Sequence, residues 1–358
     1  MAHPRSSRGK AMRKRELRAG RAVAITAMVA LVIMTGLAAA QEPFYKGKTI
    51  RIVVGFTAGG GFDAYSRALA RHMGNHIPGN PTIIVENMPG AGSLISANYL
   101  YKIAKPDGLT IGHFIGGLLL GQVLGQKGAE FDARKFEYIG APVYEHPVCA
   151  TTTASGITSL EKWMASPTPV KMGGVAPGAS NPDNIERAAK AAIGLPTQIV
   201  TGYKGTAEIR LAAESGELAG SCWGWGSLRA TWRKALDAKE VQIVLQITPK
   251  PHRDLPNVPL AINYAKTEEA RRILEVAVHN DSTLVRTYTL PPGTPKDRVQ
   301  ILRKAFQETL RDPAFLSDAE KQKLEIEPVT AEEIERAVES LYKLEPAMVA
   351  RLKTILLE

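Results

Sequence analysis

Apolar positions along the chain alternate between two periods. Thr49–Val54 is an unbroken β-branched run that reads as a buried parallel strand, and Tyr65, Ala68, Leu69, His72 and Met73 then recur at helical spacing. His-Ile-Pro-Gly-Asn-Pro (76–81) breaks that helix. Thr82–Val85 is the next strand, Leu94–Ala104 the next helix, Lys105-Pro106-Asp107-Gly108 a turn, and Leu109–Ile115 a third strand. This β-α-β-α-β order predicts a doubly wound sheet. Residues 136–150 read as a crossover, with Pro142 and a strand near Val148. A second α/β unit follows. Its predicted helices are Leu160–Ala165, Asp183–Ile193 and Ala207–Ser215, and its strands are Val170–Val175, Gln198–Thr201, Leu218–Cys222 and Val241–Ile247. The last third reads as structural. Pro291–Pro295 is a rigid turn with Thr294 as N-cap and Pro295 as first helical residue. Val299, Leu302, Phe306 and Leu310 form an apolar helical stripe, and Glu332–Leu356 is further helix.

The predicted strands end in glycine loops. Gly59-Gly60-Gly61 lets backbone N–H groups approach a ligand, and the following helix adds the positive end of its dipole, so the loop reads as an anion cradle. Pro89-Gly90-Ala91-Gly92-Ser93 repeats the device, with Ser93 as expected N-cap. Ala176–Asn181 and Gly202–Thr206 end strands of the second unit in the same way. Ligands of doubly wound sheets sit outside the carboxyl ends of strands, where His113–Gly117 also falls. Two similar lobes with a cleft between them are expected.

Charge changes this picture little once the N-terminus is set apart. Eight Lys/Arg precede an apolar run, Ala22–Leu37, and Ala38-Ala39-Ala40 fits a cleavage site, so residues 1–40 read as a secretory signal peptide. The chain carries a formal +10; the 318 residues after the leader hold 37 basic and 34 acidic residues, a net +3. The basic balance therefore argues for no nucleic-acid partner. Cys149 and Cys222 are the only cysteines. Export permits a disulfide between them, and two buried thiols fit the sequence as well.

Several chemistries find little support. Gly59-x-Gly61-x-x-Ala64 with Glu86 downstream fits a dinucleotide pattern, but four residues separate Val54 from Gly59 where a tight turn should leave the strand at once. No Gly-x-Ser-x-Gly elbow is present, and no carboxylate pair stands out for acid–base work. His72, His76, His146, His252 and His279 lack metal-ligand spacing. No cofactor, metal or catalytic residue is expected. Trp223 and Trp225 flank a glycine; they read either as an aromatic wall for a ligand or as one core and one surface side chain.

Ile-Arg-Ile-Val-Val-Gly-Phe-Thr-Ala-Gly-Gly-Gly-Phe-Asp (50–63), Val-Glu-Asn-Met-Pro-Gly-Ala-Gly-Ser (85–93) and Lys-Pro-Asp-Gly-Leu-Thr (105–110) resemble the solute receptors of the tripartite tricarboxylate transporter family, the Bug/TctC-type periplasmic binding proteins. The resemblance continues through Ala-Pro-Gly-Ala-Ser (176–180), Gly-Tyr-Lys-Gly-Thr (202–206), Leu-Pro-Asn-Val-Pro (255–259) and Pro-Pro-Gly-Thr-Pro (291–295). It implies an α/β two-lobed clamshell, each lobe a mostly parallel sheet flanked by helices, that holds a small organic carboxylate largely through backbone N–H groups. Residues 41–144 plus 249–358 would form one lobe and 145–248 the other. The ligand-binding residues it implies are Phe56, Gly59, Gly60, Gly61, Asp63, Gly90, Ala91, Gly92 and Ser93, with Ser180, Tyr203, Lys204, Gly205 and Thr206 from the second lobe. The local reading adds His113, Trp223 and Trp225. The expected partners are the carboxylate and membrane transporter subunits, the expected state a periplasmic monomer. A periplasmic sensor signalling to a membrane kinase shares every one of these residues, and a secreted enzyme is a third reading.

Overall fold

The computed structural model describes residues 42–177 and 181–358. The expected signal peptide and the candidate Ser180 lie outside the described residues. Among the described residues no helix is long and apolar enough to cross a membrane.

Two mixed sheets flanked by helices build a two-lobed α/β clamshell. The first has six strands: β1 (Thr49–Val54), β2 (Thr82–Asn87), β3 (Thr110–His113), β4 (Glu137–Ala141), β10 (Tyr288–Leu290) and β11 (Val329–Thr330), in the order β11-β4-β10-β3-β1-β2. The second has five: β5 (Pro147–Thr152), β6 (Val170–Gly173), β7 (Thr197–Val200), β8 (Gly220–Gly224) and β9 (Val241–Gln246), in the order β7-β6-β8-β5-β9. The β-α repeats predicted from periodicity supply the parallel pairs β1·β2, β1·β3 and β6·β7. Strands that cross between sheets or return late in the chain pair antiparallel, as β10 does with β3 and β4, and β5 with β8 and β9. The sheets are therefore mixed.

Register aligns the ends that matter. Val54 stands opposite both Asn87 and His113, so β1, β2 and β3 deliver their loops to one edge. Gly173 stands opposite Val200, which does the same in the second sheet. Segments that cross between the sheets bind the layers together. The Glu268–Leu274 helix and the C-terminal Pro346–Leu357 helix both pack on the Asn181–Ile193 helix of the second sheet. The single helix expected over 332–356 is two, Ala331–Leu341 and Pro346–Leu357, because Pro346 starts a new helix more readily than it continues one. The helix after the Pro291–Pro295 turn begins at Lys296, with Pro295 at the cap position; Thr294 bonds back to the Pro291 carbonyl instead.

Cys149 and Cys222 face each other across the antiparallel β5·β8 pair and are joined by a disulfide. Cys222 is fully buried next to Trp223, so the bridge fixes the strand end that carries the tryptophan. Another buried group is less favourable. Asp281 is buried and neither of its carboxylate oxygens has a hydrogen-bond partner among the described residues. Burial pushes its carboxyl up to about 7.

Two outcomes follow. Replacing both Cys149 and Cys222 by Ala should lower unfolding stability by about 2–4 kcal/mol, since the bridge closes a long loop of the unfolded chain. An unchanged urea midpoint would contradict this. Asp281 binds its proton more tightly folded than unfolded, so its contribution is full below about pH 4 and is lost as pH rises through about 7. Asp281→Asn should therefore raise stability at pH 8 by up to about 4 kcal/mol and do little at pH 4. An equal shift at both pH values would refute the assignment.

Candidate functional site

The carboxyl ends of the two sheets face one another across an enclosed cavity of about 30 Å³. Phe56, Thr57, Gly60, Gly61, Phe62 and Ile115 line it from the first sheet. Val175, Asn181, Pro182, Thr206, Trp223, Gly224 and Ser227 line it from the second. Glu145, Val285 and Arg286, from the connections between the sheets, complete it. The volume suits about one or two water molecules, so a small organic ligand requires the walls to separate.

Three helices begin at this cavity: Gly61–His72, Asn181–Ile193 and Thr206–Glu214. Their free N–H groups and dipoles make the space favourable for an anion. Each carries an acid as its third residue, and each acid reaches back to clamp the loop before the helix. Asp63 accepts from the Gly59 N–H at 3.0 Å, Asp183 from Val175 and Ala176 at 2.6 and 3.2 Å, and Glu208 from Lys204 at 2.9 Å. The third-residue acid of a capping box makes the same backward reach. For Asp63, burial works to raise the pKa, but bonds from Arg67, the Gly59 N–H and Asn87 outweigh it and hold the carboxyl below its ordinary value.

The two walls touch where side chains are missing. A Cβ on Gly60 would lie 3.1 Å from Thr206 Oγ1, and one on Gly61 would lie 1.9 Å from Ser227 Oγ. Glycine is needed at 61 for this approach, whereas at 60 a side chain would crowd Thr206.

A buried ion pair stands beside them. Arg286 Nε lies 2.6 Å from Glu145 Oε2, with side chains 3% and 2% exposed. The contact lacks the alignment of a hydrogen bond, and Arg286 Nη1 has no hydrogen-bond partner among the described residues. The guanidinium stacks over the rings of Phe62 and Tyr65 at 4.8 and 4.7 Å. Glu145 fits only because position 224 has no side chain; a Cβ there would lie 1.4 Å from Glu145 Oε1.

Of the candidates named from sequence, Phe56, Gly60, Gly61, Thr206 and Trp223 line the cavity. Gly205 stands behind them, where a Cβ would lie 3.2 Å from Thr57 Oγ1. Gly59 and Asp63 form the clamp and do not line the cavity. Gly90, Ala91, Gly92 and Ser93 are likewise outside the lining, and all four have positive φ. Ser93 makes no cap bond to its helix; its hydroxyl accepts from the Ile115 N–H at 3.1 Å, so it braces a residue of the wall. His113 lies deeper, stacked on Tyr288 and bonded through Nδ1 to Ser66 Oγ at 2.8 Å. Burial first, and Arg286 second, hold its pKa well below the ordinary value, so the ring stays neutral. Tyr203 and Lys204 are outside the lining; the Tyr203 hydroxyl donates to Glu217 at 2.7 Å and Lys204 is exposed. Trp225 is also outside it. The strand ends at Gly224 and a helix begins at Trp225, whose indole N–H donates to Asp254. The two tryptophans therefore do not share a wall.

The sequence reading missed Glu145 and Arg286. Each is a lone charge inside an apolar stretch, Val143-Tyr144-Glu145 and Leu284-Val285-Arg286, and that isolation is the signal that was available. Glu86, the acid of the dinucleotide pattern, is engaged by Arg51 at 2.6 Å.

A wider groove of about 680 Å³ lies elsewhere, lined in part by His146, Arg229, His252, Glu325 and Glu327. Most of its polar groups pair with one another: His146 meets Glu327 at 3.0 Å, His252 meets Glu325 at 2.8 Å, and Arg229 meets Asp254 at 2.6 Å, while Arg229 Nε and Glu325 Oε2 have no hydrogen-bond partner among the described residues. The small cavity sits at the strand ends of both sheets, where three helices begin, so it is the better candidate.

No family model matches the chain. It is 44% identical over 94 residues to a UPF0065 protein of Cupriavidus necator, covering 26% of this chain and 27% of that one. It is 27% identical over 161 residues to a UPF0065 protein of Bordetella bronchiseptica, covering 44% and 47%. The matched stretches thus span less than half of these curated relatives. Among solved structures, the periplasmic binding protein BugD superposes with a TM-score of 0.68 at 21% identity, over 87% of this chain and 98% of that one. A Rhodopseudomonas palustris protein solved with adipate gives 0.68 at 19%, over 86% and 98%. MatC from Rhodopseudomonas palustris with bound malate gives 0.66 at 17%, over 86% and 99%. The structural neighbours of this chain are Bug/TctC periplasmic binding proteins, its curated relatives are UPF0065 proteins, and it has the two-lobed fold of the former.

Proposed function

We propose that this chain is a periplasmic solute-binding receptor that closes on a small organic carboxylate and presents it to membrane transporter subunits. The observation that carries the reading is the convergence of three helix N-termini and a buried arginine on one cavity between two lobes. Such a space favours an anion, and a two-lobed frame admits it by hinge motion. The adipate and malate bound by two structural neighbours agree with a carboxylate. The cross-strand disulfide fits an oxidising compartment. The neighbours are binding proteins, and among the described residues the cavity lining holds no paired nucleophile and base, so the reading includes no catalysis.

The lobes of this reading are residues 41–144 plus 249–358 and residues 145–248, with hinges where the chain crosses between the sheets. Ligand contacts fall to the residues at the cavity, with the 90–93 loop and the aspartate clamps holding them in place.

A thermal-shift screen with malate, adipate and benzoate tests this. A carboxylate at 100 times its Kd should add about 2.7 kcal/mol of stability. Gly60→Leu should abolish that gain, because the added side chain meets Thr206 on the opposing wall, whereas Lys204→Ala should leave it within about twofold in Kd. The opposite ranking would place recognition on the exposed lysine loop and sink the cavity assignment.

A further inference from the structure

Resting on the receptor reading above, we propose that the cavity selects a monocarboxylate with a flat apolar body, such as an aromatic acid, over a dicarboxylate, and that Arg286 receives the carboxylate.

The guanidinium has five N–H donors. Glu145 engages the Nε edge at 2.6 Å. Nη1 has no hydrogen-bond partner among the described residues, and Nη2 lies 3.2 Å from where a Gly61 Cβ would stand, beside the cavity. Besides Arg286 Nε and Glu145 Oε2, which face each other, two more buried polar atoms of lining residues have no hydrogen-bond partner among the described residues, Trp223 Nε1 and Thr57 Oγ1. Buried donors normally find partners. An arginine edge, an indole N–H and a hydroxyl together suit one carboxylate.

Arg286 is the one cationic side chain that lines the cavity among the described residues, so the wall offers a fixed charge to one carboxylate. Arg286 and Glu145 cancel. What remains positive is the set of three helix N-termini, each equivalent to roughly half an elementary charge. Each has an acid in its first turn, Asp63, Asp183 and Glu208, which offsets that positive end, and Asp63 also pairs with Arg67 at 2.9 Å. A second ligand carboxylate would be buried without a cation to meet it, which is unfavourable. Apart from Asn181, Thr206 and Ser227, the rest of the wall is apolar. The Phe56 and Phe62 rings stand 4.6 Å apart at 42°, and Trp223 is held by stacking on Trp232 at 5.5 Å. Planar apolar bodies pack well on such surfaces.

Calorimetric titration of the purified protein with benzoate, malate, adipate and phenylalanine tests the assignment. Benzoate should bind at least tenfold tighter than either dicarboxylate and than zwitterionic phenylalanine. Glu145→Gln removes the competing negative charge and should narrow the benzoate-to-malate gap by tenfold or more. Arg286→Gln should lose benzoate binding by at least a hundredfold. Because it strands Glu145, the paired variant Glu145→Gln/Arg286→Gln, which buries no charge, serves as the folded control and should lose benzoate equally. Tighter binding of malate or adipate by the unaltered protein overturns the inference and leaves the receptor reading standing. Tighter binding of phenylalanine overturns it too, by giving Glu145 the ligand's ammonium. Silence toward all four overturns the receptor reading and the inference with it.

Discussion

The ion pair of Arg286 and Glu145 ties the molecule together. Glu145 lies on the connection that leaves the first sheet after β4, and Arg286 on the one that returns to it before β10. Both charges are buried, so neither is at ease without the other, and loss of one partner strands the remaining charge. The surrounding residues are arranged for this pair. Phe62 and Tyr65 carry the guanidinium on their rings, and Tyr65 in turn bonds the backbone of Glu325. Gly224 leaves room for the carboxylate. Buried pairs often contribute little net stability compared with apolar packing. This pair stands in the wall of the cavity, and under the proposed function it keeps a fixed positive group where an anion would arrive.

The loops around the cavity are held by a second, repeated device. A third-position acid in each of three helices turns back onto the preceding loop, so the glycines are set by hydrogen bonds even though they carry no side chains. This explains how glycine-rich loops, which lose the most entropy on ordering, can present a defined surface. The Ser93 hydroxyl at Ile115 N–H and the Cys149–Cys222 bridge next to Trp223 brace the two walls from behind.

Much of this was legible in the sequence, for physical reasons that also mark where legibility stops. Periodicity gave β1–β3 and their helices because short β-branched runs alternate there with helical spacing. The ends of β1 and β6 were readable as loops at a cavity because glycine clusters after strands have few other uses. Cavity residues such as Gly60, Thr206 and Trp223 came from that local signal. Trp225 did not follow, since a strand-to-helix switch at Gly224 breaks the alternation that would have put it beside Trp223. Ser93 looked like a cap and became a brace, because its positive φ turns the hydroxyl to a neighbouring strand. Glu145 and Arg286 are separated by 141 positions and meet through topology alone, which no local pattern encodes. The last third, read as structural, thereby supplies the one arginine of the cavity wall among the described residues.

The central claim is that the ligand enters between two walls that part and close. The most direct test is to fasten those walls. Gly60 and Thr206 face each other across the closed cavity, with 3.1 Å from the expected Gly60 Cβ to Thr206 Oγ1. A Gly60→Cys/Thr206→Cys variant should therefore form a bridge when oxidised. Titrated with benzoate, malate and adipate, the oxidised form should take up none of them, and mild reduction should restore binding. Equal binding by the oxidised and reduced forms would mean that the ligand does not pass between these walls, and the account would be wrong.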